Sequence, residues 1–335
     1  MDTELHRAMK TRNSARAMIL IALAGVCILA ASASDPIYQN TKQIVTLALL
    51  GDINLGRSVQ PDANSFSALE AQLNSADLAL ANLESPLDPK GTPEEQATSA
   101  SSYNLCAPAE NTKMLKAWGL DLLSLANNHA LDCNPDGLTQ TVTALESQNL
   151  IGIGSPNIDE AIGRPYYRKV NGLSLAFLAF DDVTQPIDIE AAAAEVQSAK
   201  NQGALVVVSV HWGTEYQAGA SPRQKEVAQA LAQAGATLIW GHHPHVLQPS
   251  EWIETENGST LVFYSLGNAL FDAYGLADTS RSALILVKVD RHGIVDVQVV
   301  PFVIDAINSR VIPADLSTEQ KILQRLSFLE DWFPQ

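Results

Sequence analysis

The sequence predicts an α/β fold, and three observations carry that expectation. Apolar runs of strand length alternate with helical runs along most of the chain. Several of those runs end on Asp, Asn or His, which is the edge where open α/β sheets build their sites. Of 335 residues, 46% are apolar, enough for the core of one large domain. A formal net charge of −16 argues against nucleic acid as a partner, because binding to phosphate backbones needs clustered Lys and Arg to displace counterions.

The N-terminus reads as an address. Arg7, Lys10, Arg12 and Arg16 precede the apolar run 17–31, and Ala31-Ser32-Ala33 follows as a small-residue cleavage signal. The run is shorter than the roughly 20 residues that span a bilayer, which favours cleavage over retention. Residues 1–33 are therefore expected to be a signal peptide or N-terminal anchor, with the body extracytoplasmic, either secreted or membrane-tethered. Val26 before Cys27 disfavours lipidation there. Without residues 1–33 the chain keeps 17 basic against 35 acidic residues, and Cys106 and Cys133 are the cysteines left to pair in an oxidising compartment.

Residues 34–43 read as a linker. The run 45–50 is the first strand, 64–75 has helical spacing, and 78–81 is a short strand. Residues 85–102, rich in Pro, Ser, Thr, Glu and Gly, read as a long surface loop. A helix is expected over 107–118, ended by Gly119 in the left-handed conformation. Strand 122–126 leads to a helix over 135–148, with Asn134 as N-cap and Pro135 in the first helical position. Strands are expected at 173–180, 204–210, 236–240 and 261–266, with helices at 189–201 and 221–234 between them. Beyond Phe271 the pattern changes to a hairpin, 282–290 and 293–301, and then to a helical tail within 306–335 whose helix spans 318–332.

The strand ends deliver Asp52 and Asn54, Glu84, Asn128 and His129, His211, and the cluster His242, His243 and His245. Each alone has an ordinary explanation: a satisfied histidine, a turn asparagine, a capping aspartate. Together they are polar groups at strand ends that need shared partners. Carboxylate and amide oxygens with imidazole nitrogens suit Mn, Fe or Zn better than a thiolate-selecting ion.

Six segments then become recognisable. In order they are Gly51-Asp52-Ile53-Asn54-Leu55-Gly56-Arg57, Ala81-Asn82-Leu83-Glu84-Ser85-Pro86-Leu87, Leu125-Ala126-Asn127-Asn128-His129-Ala130-Leu131-Asp132, His211-Trp212-Gly213-Thr214-Glu215-Tyr216, Gly241-His242-His243-Pro244-His245-Val246-Leu247-Gln248-Pro249 and Tyr264-Ser265-Leu266-Gly267-Asn268. They resemble the blocks of the CapA family of capsule or poly-γ-glutamate synthesis proteins, within the calcineurin-like metallophosphoesterase superfamily, over residues 44–305. The resemblance implies a four-layer α/β/β/α sandwich and two divalent ions, Asp52 and His245 on one, Asn128, His211 and His243 on the other, with Glu84 between. His129 matches the catalytic histidine that protonates a leaving oxygen or stabilises charge on the phosphoryl group. Asn54 stands where the superfamily pattern has a His, and Asn82-Leu83-Glu84 lacks its Gly-Asp start.

The neighbouring polar residues keep two readings each. Arg57 either neutralises a bound anion or forms a surface salt bridge. Glu215 either orients His211 or is merely exposed. Asn82 accompanies Glu84, Ser265 and Asn268 are expected to shape the site wall, and Trp212 to pack. Whether His242 or His243 is the ligand needs geometry. The expected function is an exported CapA-like protein in capsule or poly-γ-glutamate synthesis or export, with a capsule-synthesis membrane complex as partner. The alternative is an active metal-dependent phosphoesterase or hydrolase at the cell surface. On so acidic a chain, contact with an anionic polymer should run through metal or a local Arg patch.

Overall fold

Residues 43–89, 104–133, 136–154, 164–272 and 276–327 are described by the computed structural model. The expected signal segment, the linker up to residue 42, most of the loop 85–102, Asn134, Pro135 and the end of the tail lie outside them. In chain order the strands and helices are β1 (Val45–Ile53), α1 (Glu70–Ser75), β2 (Leu78–Leu83), β3 (Leu87–Asp88), β4 (Ala107–Pro108), α2 (Thr112–Ala117), β5 (Leu122–Ser124), α3 (Gly137–Glu146), β6 (Ile151–Ile153), β7 (Tyr166–Val170) and β8 (Leu173–Asp181). There follow α4 (Ile189–Asn201), β9 (Leu205–His211), α5 (Pro222–Gln233), β10 (Leu238–His242), β11 (Ser250–Thr255), β12 (Gly258–Phe263), β13 (Asn268–Leu270), β14 (Arg281–Asp290), β15 (Gly293–Asp305), β16 (Arg310–Pro313) and α6 (Leu316–Arg325).

The strands form two main sheets. One runs β16-β15-β14-β1-β2-β5-β6, with β13 beside the end of β1; the other runs β11-β12-β10-β9-β8-β7. Within the first, β1, β2, β5 and β6 are parallel while β14 to β16 are antiparallel. In the second, β12, β10, β9 and β8 are parallel, with an antiparallel strand at each edge.

Alternation along each strand sorts the layers, because successive side chains point to opposite faces. Leu47 and Leu49 of β1 join Phe177, Val207, Trp240 and Phe263 of the other sheet in the central core. Ala48 and Leu50 face the opposite way, onto Leu73, Leu115, Leu138 and Leu145 of α1 to α3 and the turns beside them. On the far side, Val206, Val208 and Val210 pack under Val196 of α4 and Val227 and Leu231 of α5. The order is α/β/β/α. Both faces of each parallel region are covered, which is why these strands read as near-continuous apolar runs.

The local signals explain the helices that match and those that do not. Helix α4 has the expected bounds, capped by Asp188, whose side chain accepts a hydrogen bond from Ala191 N; α5 begins with a capping box between Ser221 and Gln224. The helix expected over 107–118 starts only at Thr112. Its first residues are instead drawn into pairing with β3 and then a 3-10 turn, 109–111. The helix expected over 64–75 likewise starts at Glu70 after a 3-10 turn. Gly119 is left-handed as expected, at φ 85°. The helix expected from 318 begins two residues earlier, where the Asp315 side chain accepts from Thr318 N. The hairpin of β14 and β15 is present, and β3, β4, β6, β7, β11, β13 and β16 are additions. Among the described residues no helix is long and apolar enough to cross a membrane.

Candidate metal centre

The C-terminal ends of β1, β2 and β5 in one sheet meet those of β9 and β10 in the other. The sheets are tied above the core where Trp240 Nε1 donates to Leu50 O at 3.3 Å. A backbone bond from Glu84 N to Ile53 O, 2.9 Å, sets the first two segments side by side, and one from Asp52 N to Gly267 O, also 2.9 Å, ties the first to the turn before β13. The chain leaving β10 passes so close to its neighbours that a Cβ on Gly241 would lie 2.1 Å from Tyr264 O; only glycine fits. Beyond it His243 and His245 take left-handed backbone conformations, φ 91° and 56°. Such conformations cost about 1–3 kcal/mol each and persist where the surroundings over-determine them.

Glu84 is at the centre, buried with both carboxylate oxygens lacking a hydrogen-bond partner among the described residues. Its Oε1 lies 3.7 Å from His245 Nε2, 3.8 Å from His211 Nε2 and 3.9 Å from His129 Nε2. Glu84, His243 and His245 bring ligand atoms within 4.8 Å of one another, a group able to hold a metal ion. Asn128 Oδ1 is 2.7 Å from His211 Nε2, and the His211 and His243 rings are 4.9 Å apart. Asp52 Oδ2 is 3.3 Å from His245 Nδ1. Asp52, Glu84, Asn128, His211, His243 and His245 thus occupy one place, with His129 at its mouth keeping 14% of its side chain exposed.

Electrostatics follow from this crowding. Burial pushes the Glu84 carboxyl up from 4.5 to about 7, with Asp52 adding to the effect and His245 opposing it. Burial also pulls on His245, but Glu84 and Asp52 outweigh it and lift the imidazole to about 9. Burial raises Asp52, yet His242 and His245 against it hold it well below the carboxylate range. Burial and a neighbouring imidazole lower His211, and lower His243 to about 4. Neutral imidazoles are the ligating form. His129 goes the other way: burial lowers it, but Asp132 and Glu84 raise it on balance.

The supporting residues separate from the ligand set. Asn82 donates to Asp52 Oδ1 at 2.8 Å and accepts from Asn127 Nδ2 at 3.1 Å. Asn127 also donates to Leu83 O, and its Oδ1 accepts from His129 N, so it ties the second block to the third. Asn268 does more than shape a wall: its Oδ1 meets His245 Nδ1 at 2.9 Å, leaving Nε2 for the pocket. Ser265 serves its own turn, accepting from Gly267 N. His242 lies beneath the site, its Nδ1 3.1 Å from Asp52 Oδ1 and its ring edge-on to Trp240. Geometry therefore places His243, rather than His242, with Glu84 and His245.

One expectation needs correction, and two open readings are decided by contacts. Asn54, expected with the metal-binding group, is engaged elsewhere: its Oδ1 accepts from Ser85 Oγ at 2.6 Å and Gly56 N at 2.9 Å, while its Nδ2 donates to Asp272. Both lone pairs of that oxygen are engaged, and Asn54 braces the loop. Arg57 pairs with the buried Asp272, its Nε donating to Oδ2 at 3.0 Å, so the salt-bridge reading holds. Glu215 does not orient His211, whose ring nitrogens face Asn128 and Asn82; its charge acts on Glu84. Sequence reasoning missed Asp272, for which no signal exists, and Asp132, whose spacing of three from His129 was visible.

The family model for the bacterial capsule synthesis protein PGA_cap matches residues 46–273. The chain belongs to this family. It is 32% identical over 304 residues to the PGA biosynthesis protein CapA of Bacillus subtilis, covering 85% of this chain and 78% of that protein. It is 30% identical over 321 residues to the capsule biosynthesis protein CapA of Bacillus anthracis, covering 87% and 77%. A solved hypothetical protein from Thermus thermophilus shares the fold, with a TM-score of 0.51 at 18% identity over 76% of this chain and 98% of the other. The α/β/β/α sandwich expected from the resemblance is thus the fold found in this member of the capsule synthesis family.

Proposed function

We propose that this member of the capsule synthesis family is exported and works at the cell surface through a divalent metal centre. Two ions, drawn from Mn, Fe or Zn, would be held by Asp52, Glu84, Asn128, His211, His243 and His245. Glu84 carries this reading: a buried carboxylate with two unsatisfied oxygens, ringed by imidazoles, is costly unless a cation completes it. The donor set of carboxylate, amide and imidazole fits such an ion. A divalent ion there would supply Lewis-acid charge to a substrate oxygen and would acidify nearby water.

The chain's own groups orient what is bound. Asn82 and His242 hold Asp52, Asn268 holds His245, and Asn127 holds the loop that carries Asn128 and His129. His129 Nε2, 3.9 Å from Glu84 Oε1 at the mouth, would hold or release a proton beside a substrate oxygen. An anionic polymer or a phosphoester is the substrate class, and a capsule-synthesis membrane complex the partner. The relatives' role in PGA and capsule biosynthesis favours the accessory version, and the position of His129 favours hydrolysis.

Metal analysis of the purified protein is the first test: bound divalent metal that falls in His211→Ala and His243→Ala supports the centre, and equal content in all three refutes it. A panel of phosphodiesters and γ-glutamate oligomers then separates the versions. Hydrolysis that His129→Ala lowers by roughly 10²- to 10⁴-fold supports the enzyme; oligomer binding without turnover supports the accessory role. For export, intact mass of protein recovered from the envelope or medium should begin at Ser34 or retain the anchor outside the cytoplasm; protein confined to the cytoplasm contradicts it.

A further inference from the structure

We propose that the Cys106–Cys133 disulfide holds Asp132 against His129, so that the His129 ring is locked only in the oxidised protein. His129 Nδ1 donates to Asp132 Oδ2 at 2.7 Å, which directs Nε2 to the Glu84 side of the ring. The same Oδ2 accepts from Leu105 N at 2.7 Å, and the backbone carbonyl of Asp132 accepts from Asn104 Nδ2, also at 2.7 Å. Asp132 is therefore gripped from both ends by the two residues that precede Cys106.

The disulfide joins the next residue on each side. Cys106 follows Leu105 and Cys133 follows Asp132, with their Cα atoms 4.8 Å apart. The 105–106 backbone is also wedged against the first block: a Cβ on Gly56 would lie 2.7 Å from Cys106 O and 2.8 Å from Leu105 O. Segment 104–106 thus spans the loop that carries Asp52 and the loop that carries His129, and the disulfide is its covalent tie to the latter, beside the hydrogen bonds to Asp132 and the pairing of Ala107 with β3. Without the bond, the Leu105 N–H and Asn104 amide depend on a segment held by single hydrogen bonds, each worth about 1 kcal/mol net. A hydrogen bond from the distal ring nitrogen commonly fixes the tautomer and orientation of a working histidine.

The geometric part stands by itself; its effect on turnover rests on the proposed role of His129. The test is nitrogen-15 NMR of the histidine rings in the full-length protein, comparing wild type, Asp132→Asn, Asp132→Glu, reduced wild type and the Cys106→Ser/Cys133→Ser double variant. Wild type should show His129 as one species protonated at Nδ1. Asp132→Asn should shift and broaden the His129 signals while those of His292, on the distant hairpin turn, stay in place, and Asp132→Glu should restore them in part. Reduction and the double serine variant should each broaden His129 in the same way. Unchanged His129 signals in Asp132→Asn would overturn the positioning role, and unchanged signals in both disulfide-free proteins would overturn the role of the bond. If a phosphodiester is turned over, Asp132→Asn should lower kcat by roughly 10- to 10²-fold with KM little changed. Absence of turnover in wild type would count against the hydrolase and leave the ring signals to decide this proposal.

Discussion

Replacing Glu84 with Gln should make the metal-free protein more resistant to alkaline conditions even as it removes a proposed ligand. Glu84 is raised from 4.5 to about 7 by burial, a difference equivalent to about 3 kcal/mol. Because the folded value lies above the unfolded one, the folded state holds its proton more tightly. The contribution is fully present below about pH 4.5 and is lost as pH rises through 7. His245, lifted to about 9, loses its contribution in the same direction as pH climbs through that value, so the two do not cancel. Urea unfolding of chelator-treated protein at about pH 4.5 and about pH 8.5 measures this. Wild type should lose up to about 3 kcal/mol more than Glu84→Gln between the two conditions. Any cost of burying the amide appears at both pH values and drops out of the comparison. Saturating zinc should then restore wild type, by about 2.7 kcal/mol at one hundred times Kd, and should do much less for the variant. An equal pH response in the two proteins would show that Glu84 is not a strained carboxylate.

Other consequences can be checked by simpler measurements. The disulfide closes a sequence separation of 27 residues, so the double serine variant should lose about 3.5 kcal/mol in urea unfolding; no loss would mean that the unfolded chain gains no freedom. Asn268→Ala removes the 2.9 Å partner of His245 Nδ1 and should weaken metal binding by roughly 10- to 100-fold in calorimetric titration, whereas an unchanged Kd would show that His245 is held by packing. Ser221→Ala breaks the capping box of α5 and should cost about 1 kcal/mol of stability with no change in metal content. A change in metal content there would mean that the site responds to any loss of stability.

Much of this architecture is legible in the sequence where a physical pattern is strong. The buried runs of β1, β8, β9 and β10 are apolar and bounded by turn residues, and α4 carries a capping aspartate at the expected place. The short strands β6, β13 and β16 are only three or four residues long, too short to show a period. Nor does periodicity divide the parallel strands between two sheets, because both sets are buried on both faces; that division came from the family resemblance. In the site, the proposed ligands were readable because they follow apolar runs of strand length. The parts not read, Asp132, Asp272 and the bond from Asn127 to Asn82, depend on loop paths that bring distant polar groups together. Left-handed turns at His243 and His245 separate them from His242 in a way that no spacing rule conveys, and Asn54 went to the loop because Ser85 and Gly56 claimed its oxygen first.

Anomalous diffraction from crystals of the protein soaked in Zn²⁺ or Mn²⁺ tests the metal centre most directly. Strong peaks are expected among Glu84, His211, His243 and His245, with Asp52 and Asn128 completing the set, and their loss is expected in Glu84→Gln. Crystals that bind the ion only elsewhere, or whose peak is indifferent to Glu84, would contradict the metal centre.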